Sequence, residues 1–357
     1  MSDAVKPDAK LSRTKIADLR SFIARVMQAV GLPPADAGCV ATLMAEADAR
    51  GADGHGVFRL PQYVKRIQSG GINTRPNIRV ARQQAAMAVV DGDNAMGHLV
   101  MSRAAEIAIE KARQAGVAWV GARNSNHAGP ASLYARMPLA HDMAGIYIAV
   151  GSANHLPPWG GTEMLLSTNP IAIAVPGSSS PEIVLDMATT NAAYGKVKVK
   201  AQRHEPMPEG WMIDREGKPL TDPARANEGF LLPIGGPKGY GLALMFGLLA
   251  GTLNGAAFGR EVVDFNKDST TVTNTGHAIV AVNIASFMDV QEFKQKVDQI
   301  WREMKSSPKL PGFDEIRLPG ERSARIYRER MAHGVPLSQE LHAALDSLAG
   351  RLGVPRL

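Results

Sequence analysis

Between Lys238 and Arg260 the chain runs for 21 residues, 239–259, without a charged side chain, and within that run Gly247, Gly251, Gly255 and Gly259 recur at every fourth position. An uncharged stretch of this length can span a bilayer, and small residues at that spacing let helices approach closely. The alternative is a buried helix of a soluble domain whose glycines admit another backbone or a ligand. Asn254 and the broken hydrophobicity make a poor lone anchor, and there is no second such run. A buried helix is therefore the expectation, with no membrane attachment.

The rest of the chain bounds the answer further. Its 357 residues suggest about two domains and can bury roughly three quarters of the surface an unfolded chain exposes. Hydrophobic residues at 45% and charged residues at 21% fit a soluble globular protein and exclude disorder over most of the length. Cys39 is the only cysteine, so no intrachain disulfide forms. It is expected to pack in the core of a helix. A lone thiol and the polar opening MSDAVKPDAK, which lacks an apolar signal core, point to the reducing cytoplasm. The net charge is +6. It gathers at Lys196, Lys198, Lys200 and Arg203, and at Arg317, Arg322, Arg325, Arg328 and Arg330, the latter interleaved with Glu315, Glu321 and Glu329. Nucleic-acid binding calls for a cleaner basic face, whereas small anionic ligands suit this charge.

Apolar residues at three- and four-residue spacing predict a helix from Ile16 to Val30, a second opening at Pro33-Pro34 and running to about Arg50, and a third from Leu60 to Ser69. Strand-length apolar runs follow at Met87–Val90, Val117–Val120, Ile146–Val150, Ile171–Val175 and Ile183–Leu185. Helical stretches are expected at about 100–114, 239–253 and 290–305, and residues 306–357 return to helix. The alternating Lys196-Val-Lys198-Val-Lys200 reads as a half-buried strand with an exposed lysine face. The class is α+β: residues 1–80 with 306–357 form a helical domain, and 81–305 a mixed domain.

Several chemistries lack their usual marks. No G-x-G-x-x-G follows a strand and no P-loop occurs. There is no G-x-S-x-G elbow, no H-E-x-x-H and no zinc knuckle, so no metal is expected.

Four polar clusters stand out instead. In Gly51-Ala-Asp-Gly-His55-Gly-Val-Phe-Arg59-Leu-Pro-Gln-Tyr63, glycines flank His55, while Arg59 and Tyr63 follow at four-residue steps. A histidine can transfer a proton near neutral pH and an arginine fork can grip a carboxylate. A capping histidine and a surface arginine would leave the same spacing. The second cluster, Arg123-Asn-Ser-Asn-His127-Ala128-Gly129-Pro130, directly follows a strand-like run, where α/β folds often place ligands, though His127 also reads as a satisfied loop residue. The third comprises Ser152–Pro170, including Thr168, then Leu185-Asp186-Met187-Ala188 and Tyr194-Gly195-Lys196. The fourth, Gly235-Gly236-Pro237-Lys238-Gly239-Tyr240-Gly241, puts a lysine among glycines at a helix start, where backbone N–H groups, the helix dipole and a point charge suit a phosphate, a capped and tightly packed helix start being the alternative.

Taken in order, His55-Gly with Arg59 and Tyr63, Ser125-Asn-His127, Thr168-Asn-Pro-Ile-Ala, Leu185-Asp-Met-Ala, Gly210-Trp211, Gly236-Pro-Lys-Gly-Tyr-Gly and Leu318-Pro-Gly-Glu-Arg322 resemble the malate/L-lactate dehydrogenase family of the non-Rossmann type. That family includes ureidoglycolate, sulfolactate and diketogulonate enzymes and reductases of piperideine-2-carboxylate. The likeness runs from about residue 15 to 330. It implies a homodimer with an unusual, mostly antiparallel NAD(P)-binding domain, and hydride transfer between NAD or NADP and a 2-oxo acid or its imine. On the same resemblance His55 is the acid/base and Arg59 holds the substrate carboxylate, with Lys196 a further catalytic candidate. Tyr63, Thr168, Tyr194 and Gly195 fall at the substrate. His127, Ala128, Gly129, Asp186, Met187, Ala188, Lys238, Gly320, Glu321 and Arg322 fall at the dinucleotide. Departures surround the substrate region: Gly54 stands where Ser is common, Tyr194 where Arg is frequent, Trp159 follows Pro157-Pro158, and His127 precedes Ala-Gly-Pro. They leave open a non-catalytic ligand-binding homologue on the same scaffold.

Overall fold

Ile16, Leu19, Ile23, Val26 and Met27 put an apolar stripe on the first helix, and the computed structural model shows that face buried apart from Ile16. It describes residues 12–202 and 204–357; the opening MSDAVKPDAK and Arg203 lie outside the described residues, with the readings placed on them. In chain order the α-helices of nine or more residues are α1 (Ile16–Ala29), α2 (Pro34–Ala49), α3 (Leu60–Gln68), α4 (Gly97–Ala115), α5 (Tyr194–Gln202), α6 (Pro237–Ala250), α7 (Val290–Ser306), α8 (Glu321–His333) and α9 (Gln339–Leu352). The main sheet is built from β1 (Arg79–Gln84), β2 (Met87–Asp91), β3 (Val117–Ser125), β4 (Met143–Ala149), β5 (Ile171–Val175), β6 (Ile183–Met187) and β7 (Thr275–Asn283).

The chain divides into two compact units, one running to Ser69 and resuming over Arg322–Leu357, the other spanning Gly70–Glu321. In the first, α1 and α2 pack side by side, α9 buries Leu345, Leu348 and Ala349, and Ser12–Thr14 pairs antiparallel with Val335–Leu337. Proline opens α2 where a missing N–H leaves no bond unmade. Cys39 on α2 is half-buried, less enclosed than a core position.

In the second unit the strand order is β1-β2-β3-β7-β4-β5-β6. Every neighbouring pair is antiparallel except β2 with β3. This is a mixed fold with a mainly antiparallel sheet, as the α+β reading expects. At its centre lies β7, which the sequence reading passes over although Ala278–Val282 is an unbroken apolar run; its register sets Ile279 between Val120 and Tyr147. The polar β1 carries no such signal, since five of its six residues are exposed and do not alternate with apolar ones.

Two expectations need correction. Lys196–Lys200 is helix α5, not a strand. Val197 is its buried contact, set among Leu156, Leu166, Met207 and Met212; tertiary packing of one valine outweighs the alternation. The uncharged run is likewise not one helix. α6 stops at Ala250, Gly251 leaves the helix, and a short turn at Thr252–Asn254 follows. No described helix is long and apolar enough to cross a membrane. Buried Asn254 donates to Ala250 O at 2.8 Å and His277 O at 3.0 Å, tying the end of α6 to β7.

The glycine stripe is filled by the chain itself. A Cβ on Gly247 would lie 2.0 Å from the Phe258 ring. Gly247→Leu is therefore expected to cost about 1–3 kcal/mol through forced repacking, read as a lower midpoint in chemical denaturation; an unchanged midpoint would show that Phe258 moves aside freely. The opposite face of α6 presents Leu242, Met245 and Leu248 to solvent.

Candidate active site

In the helical unit His55 does not start a regular helix. Asp53–His55 and Val57–Arg59 are two tight 3-10 turns joined at Gly56, and α3 begins only at Leu60. Arg59 is thus the residue capping α3, and its Nε reaches back to donate to Gly54 O at 2.9 Å. That bond fixes the guanidinium beside the turn carrying His55. Burial, with the nearby Arg59 charge, pushes the His55 imidazole down to about 4. The ring is therefore neutral at pH 7, a proton acceptor. Tyr63 is wholly buried one turn along α3, and burial raises its hydroxyl well above the usual range while the Arg59 charge opposes. These three residues come together as the spacing predicts. At Gly54 a Cβ would meet nothing within 4 Å, so no packing demand excludes a serine there.

Sequence reasoning missed what holds this turn. Asp48, at the end of α2, is 2% exposed, and its Oδ2 accepts the Val57 N–H at 2.8 Å. Arg330 on α8 donates to Asp48 O at 2.5 Å and grips the Asp53 carboxylate. The one available signal was an acid on an otherwise apolar helix face; the pairing of residues 48 and 330 had none.

In the mixed unit the segment after β3 meets the end of β6. The Ser132 N–H donates to Asp186 Oδ2 at 2.9 Å, linking the His127–Gly129 segment to Asp186–Ala188. His127 packs against the Phe265 ring at 5.5 Å, and Tyr134 Oη donates to Ala128 O at 2.5 Å. Gly129 takes φ +81°, a conformation glycine permits without strain. Beneath the loop, buried His277 on β7 bridges Tyr147 Oη at 2.7 Å and Ser125 Oγ at 3.0 Å. Burial holds its ring down at about 4, so it is neutral here. This histidine was not singled out from the sequence, because only strand pairing brings residue 277 beside 125.

Further contacts extend the cluster. Ile234 N donates to Thr189 O at 3.0 Å, placing the Gly235–Lys238 turn next to Ala188-Thr189. Val184 N donates to Pro319 O at 3.1 Å, placing Gly320 and Glu321 against β6. Lys238 is exposed at the start of α6. The expected row of free helix N–H groups is shorter than the sequence suggests. Pro237 has none, while Gly239 and Tyr240 already donate to Ile234 O and Gly236 O. Lys238 supplies its own N–H and its ammonium. Glu321 is engaged by Lys305 at 3.0 Å and by the Leu318 N–H at 2.8 Å, so it shapes the turn. Arg322 is exposed; Arg317 pairs with Glu315 at 2.8 Å and Arg123 with Asp91 at 3.6 Å.

Among the substrate candidates, Thr168 O accepts from Thr189 N and Oγ1, both at 3.0 Å. Its neighbour Asn169 is buried, accepting Gly151 N–H at 3.0 Å and donating to Ala243 O at 2.7 Å. The Tyr194 ring stacks on His155 at 4.3 Å, and the Lys198 ammonium lies over the Tyr194 ring at 5.7 Å. Gly195 and Lys196 are exposed on α5. No cluster of metal-ligating side chains occurs among the described residues.

These groups fit a dinucleotide chemically. Lys238 offers a cation and an N–H to a phosphate, Asp186 is an exposed acceptor suited to hydroxyls, and Gly129, Gly235, Gly236 and Gly320 keep side chains off the backbone at three of these segments.

A family model described as malate/L-lactate dehydrogenase matches residues 14–346. The chain is 40% identical over 347 residues to a malate dehydrogenase of Pyrococcus horikoshii, covering 95% of each. It is 34% identical to the ureidoglycolate dehydrogenase (NAD(+)) of Escherichia coli, covering 92% of this chain and 93% of that one. It is 31% identical to a (2R)-3-sulfolactate dehydrogenase (NADP(+)) of Chromohalobacter salexigens, covering 85% and 88%. The solved sulfolactate dehydrogenase of Methanocaldococcus jannaschii superposes with a TM-score of 0.90 at 38% identity, covering 96% of this chain and 98% of that chain. The delta1-piperideine-2-carboxylate reductase of Pseudomonas syringae does so at 0.85 and 29% identity, covering 95% and 100%.

Proposed function

The chain belongs to the malate/L-lactate dehydrogenase family, and on that premise we propose that His55 and Arg59 are the acid–base and carboxylate-holding groups of its reaction. It is an NAD(P)-dependent oxidoreductase that interconverts a 2-hydroxy acid and a 2-oxo acid, or the corresponding imine carboxylate, by hydride transfer. The observation carrying the assignment is the pairing of a neutral His55 imidazole with a guanidinium anchored on the same turn.

In oxidation, neutral His55 takes the hydroxyl proton as the carbonyl forms. Arg59 grips the carboxylate of the acid and so fixes the reacting carbon. In reduction the imidazole delivers a proton to the forming hydroxyl, and the bound carboxylate offsets the Arg59 part of its depression, the smaller part beside burial. The nicotinamide dinucleotide, when bound, accepts or supplies the hydride. Lys238 would bind its phosphates, and His127, Ala128, Gly129, Asp186, Met187, Ala188 and Gly320 would contribute the rest of the mixed unit's site, with Glu321 holding the 318–321 turn through Lys305; Arg322, the remaining dinucleotide candidate, lies in the helical unit. Thr168, Tyr194, Gly195 and Lys196 contribute to the substrate region, and Tyr63 backs Arg59. The helical unit thus carries the acid–base pair and the mixed unit a non-Rossmann dinucleotide site.

The enzyme works in the cytoplasm as a homodimer in this reading. Leu242, Met245 and Leu248 on α6 form an apolar face that a second copy would cover. Light scattering after size exclusion should return twice the 38.1 kDa chain mass and close to the chain mass for Met245→Lys; a monomeric wild type would end this part of the reading.

The reaction is tested by following loss of reduced nicotinamide absorbance with NADH and NADPH in parallel against pyruvate, oxaloacetate, sulfopyruvate and a cyclic imine carboxylate. Turnover is expected with at least one pair, and the fastest identifies carrier and substrate. Cofactor binding without turnover across the panel would favour a non-catalytic homologue instead.

A further inference from the structure

The most enclosed carboxyl among the described residues of the helical unit takes no part in the reaction described above. Asp48 closes α2 at 2% exposure, and its Oδ2 accepts the Val57 N–H at 2.8 Å. Across from it, a Cβ on Gly56 would lie 2.0 Å from Asp48 Oδ1. The carboxyl therefore occupies the space that a side chain next to His55 would need. Arg330 bonds Asp48 O and the Asp53 carboxylate together, and Arg59 holds Gly54 O. The turn bearing His55 is thus gripped at residues 53, 54 and 57, while residue 56 is pressed against the carboxyl.

We propose that Asp48 is a positioning residue for His55: its carboxyl, seated against Gly56 and bonded to the Val57 N–H, sets the turn from which the imidazole projects. The inference rests on the acid–base reading of His55. Two alternatives fail on the same contacts. Asp48 is not a general acid, because its bonded oxygen faces backbone within its own unit. Nor does it act as a simple counter-ion for Arg330, since that guanidinium takes the Asp48 carbonyl and reserves its ion pair for Asp53.

The protonation state agrees with this geometry. Burial pushes Asp48 up to about 8; Asp53 adds to the rise, while the Val57 N–H and Arg330 oppose it. At neutral pH the group is an uncharged carboxyl, which can accept the Val57 bond without placing a bare charge in the core. Its native affinity for the proton exceeds that of the unfolded chain, whose carboxyl titrates near 3.8. Stability from this group is therefore greatest below that value and is lost as pH rises through about 8.

The test compares Asp48→Asn, Asp48→Glu, Asp48→Ala and His55→Ala in the full chain, measuring kcat, KM and NAD(P)H affinity with the substrate found above. Asn keeps the shape and the acceptor and should hold kcat within about 2-fold of wild type. Glu keeps the acid but pushes it into Gly56, and Ala empties the site; each should lower kcat about 10- to 100-fold through misplacement of His55, with NAD(P)H affinity unchanged. Asn should also flatten the fall of stability between about pH 4 and 8. Glu turning over as fast as Asn overturns the proposal, whether or not Ala folds. So does Asn as slow as Glu with its thermal midpoint intact. Normal turnover by His55→Ala would instead remove the acid–base reading itself, whereas a dead His55→Ala beside a normal Asp48→Glu defeats only the positioning role.

Discussion

Replacing His55 by Ala is expected to lower kcat about 100- to 10,000-fold, the range lost when a positioned proton-transfer group is removed. NADH or NADPH binding, followed by nicotinamide fluorescence, should persist, because the residues assigned to the dinucleotide lie almost entirely in the Gly70–Glu321 unit. Near-normal turnover would refute the assignment. The pH profile gives a second reading of the same group. With His55 held at about 4 by burial and the Arg59 charge, the form that accepts a proton is present far below the ordinary histidine range. The acid limb of kcat/KM for 2-hydroxy acid oxidation should therefore fall towards pH 4 and not near 6.5. The sign for stability matches: a depressed imidazole contributes fully above 6.5, and that contribution is lost as pH falls through about 4. Circular dichroism over the same range separates loss of the base from loss of the fold.

Arg59→Ala should cost the second-largest share. Two charge-assisted hydrogen bonds to a carboxylate, each worth about 1.5–3 kcal/mol, put the loss in kcat/KM at about 100-fold or more for any 2-oxo or 2-hydroxy acid. The acid limb of oxidation should at the same time move up, because the charge that depresses His55 is gone. Arg59→Lys restores the charge without the fork, so it should recover the low acid limb but only part of kcat/KM. An unchanged kcat/KM for Arg59→Ala would sink the carboxylate role, and an acid limb that stays put would show that burial alone sets His55.

Both predictions depend on a turn whose residues were visible in the sequence and whose supports were not. The run from His55 to Tyr63 could be read because it is local: Arg59 and Tyr63 sit one α-helical turn apart, and Arg59 reaches only as far as Gly54 to meet the turn of His55. The helices at 16–29 and 60–68 carried an apolar stripe, the helix at 34–49 was marked by its opening prolines, and the strands at 117–125, 143–149, 171–175 and 183–187 contained apolar runs of strand length. The order of short motifs along the chain already pointed to the family. The Gly235–Lys238 turn was found, but its donors were overcounted, since hydrogen bonding of Gly239 and Tyr240 back to residues 234 and 236 is invisible in a string of letters.

What failed were inferences in which a local pattern meets a distant partner. Lys and Val alternate over 196–200 as in a strand, yet Val197 finds its core contacts only when the segment coils. The glycine spacing of 247, 251, 255 and 259 suggested one long helix; Phe258 folding back onto Gly247 ends that possibility. By itself the sequence determined the helical ends, most of the sheet, the family and the His55–Arg59 pair, because each is written in neighbouring residues or in motif order. Only the tertiary structure decided that Asp48 and Arg330 hold the histidine turn and that β7 sets His277 beneath the Ser125–Gly129 loop. Those contacts join positions up to 282 residues apart, and the free energy that selects them comes from burial shared across the whole unit, which no window of sequence contains.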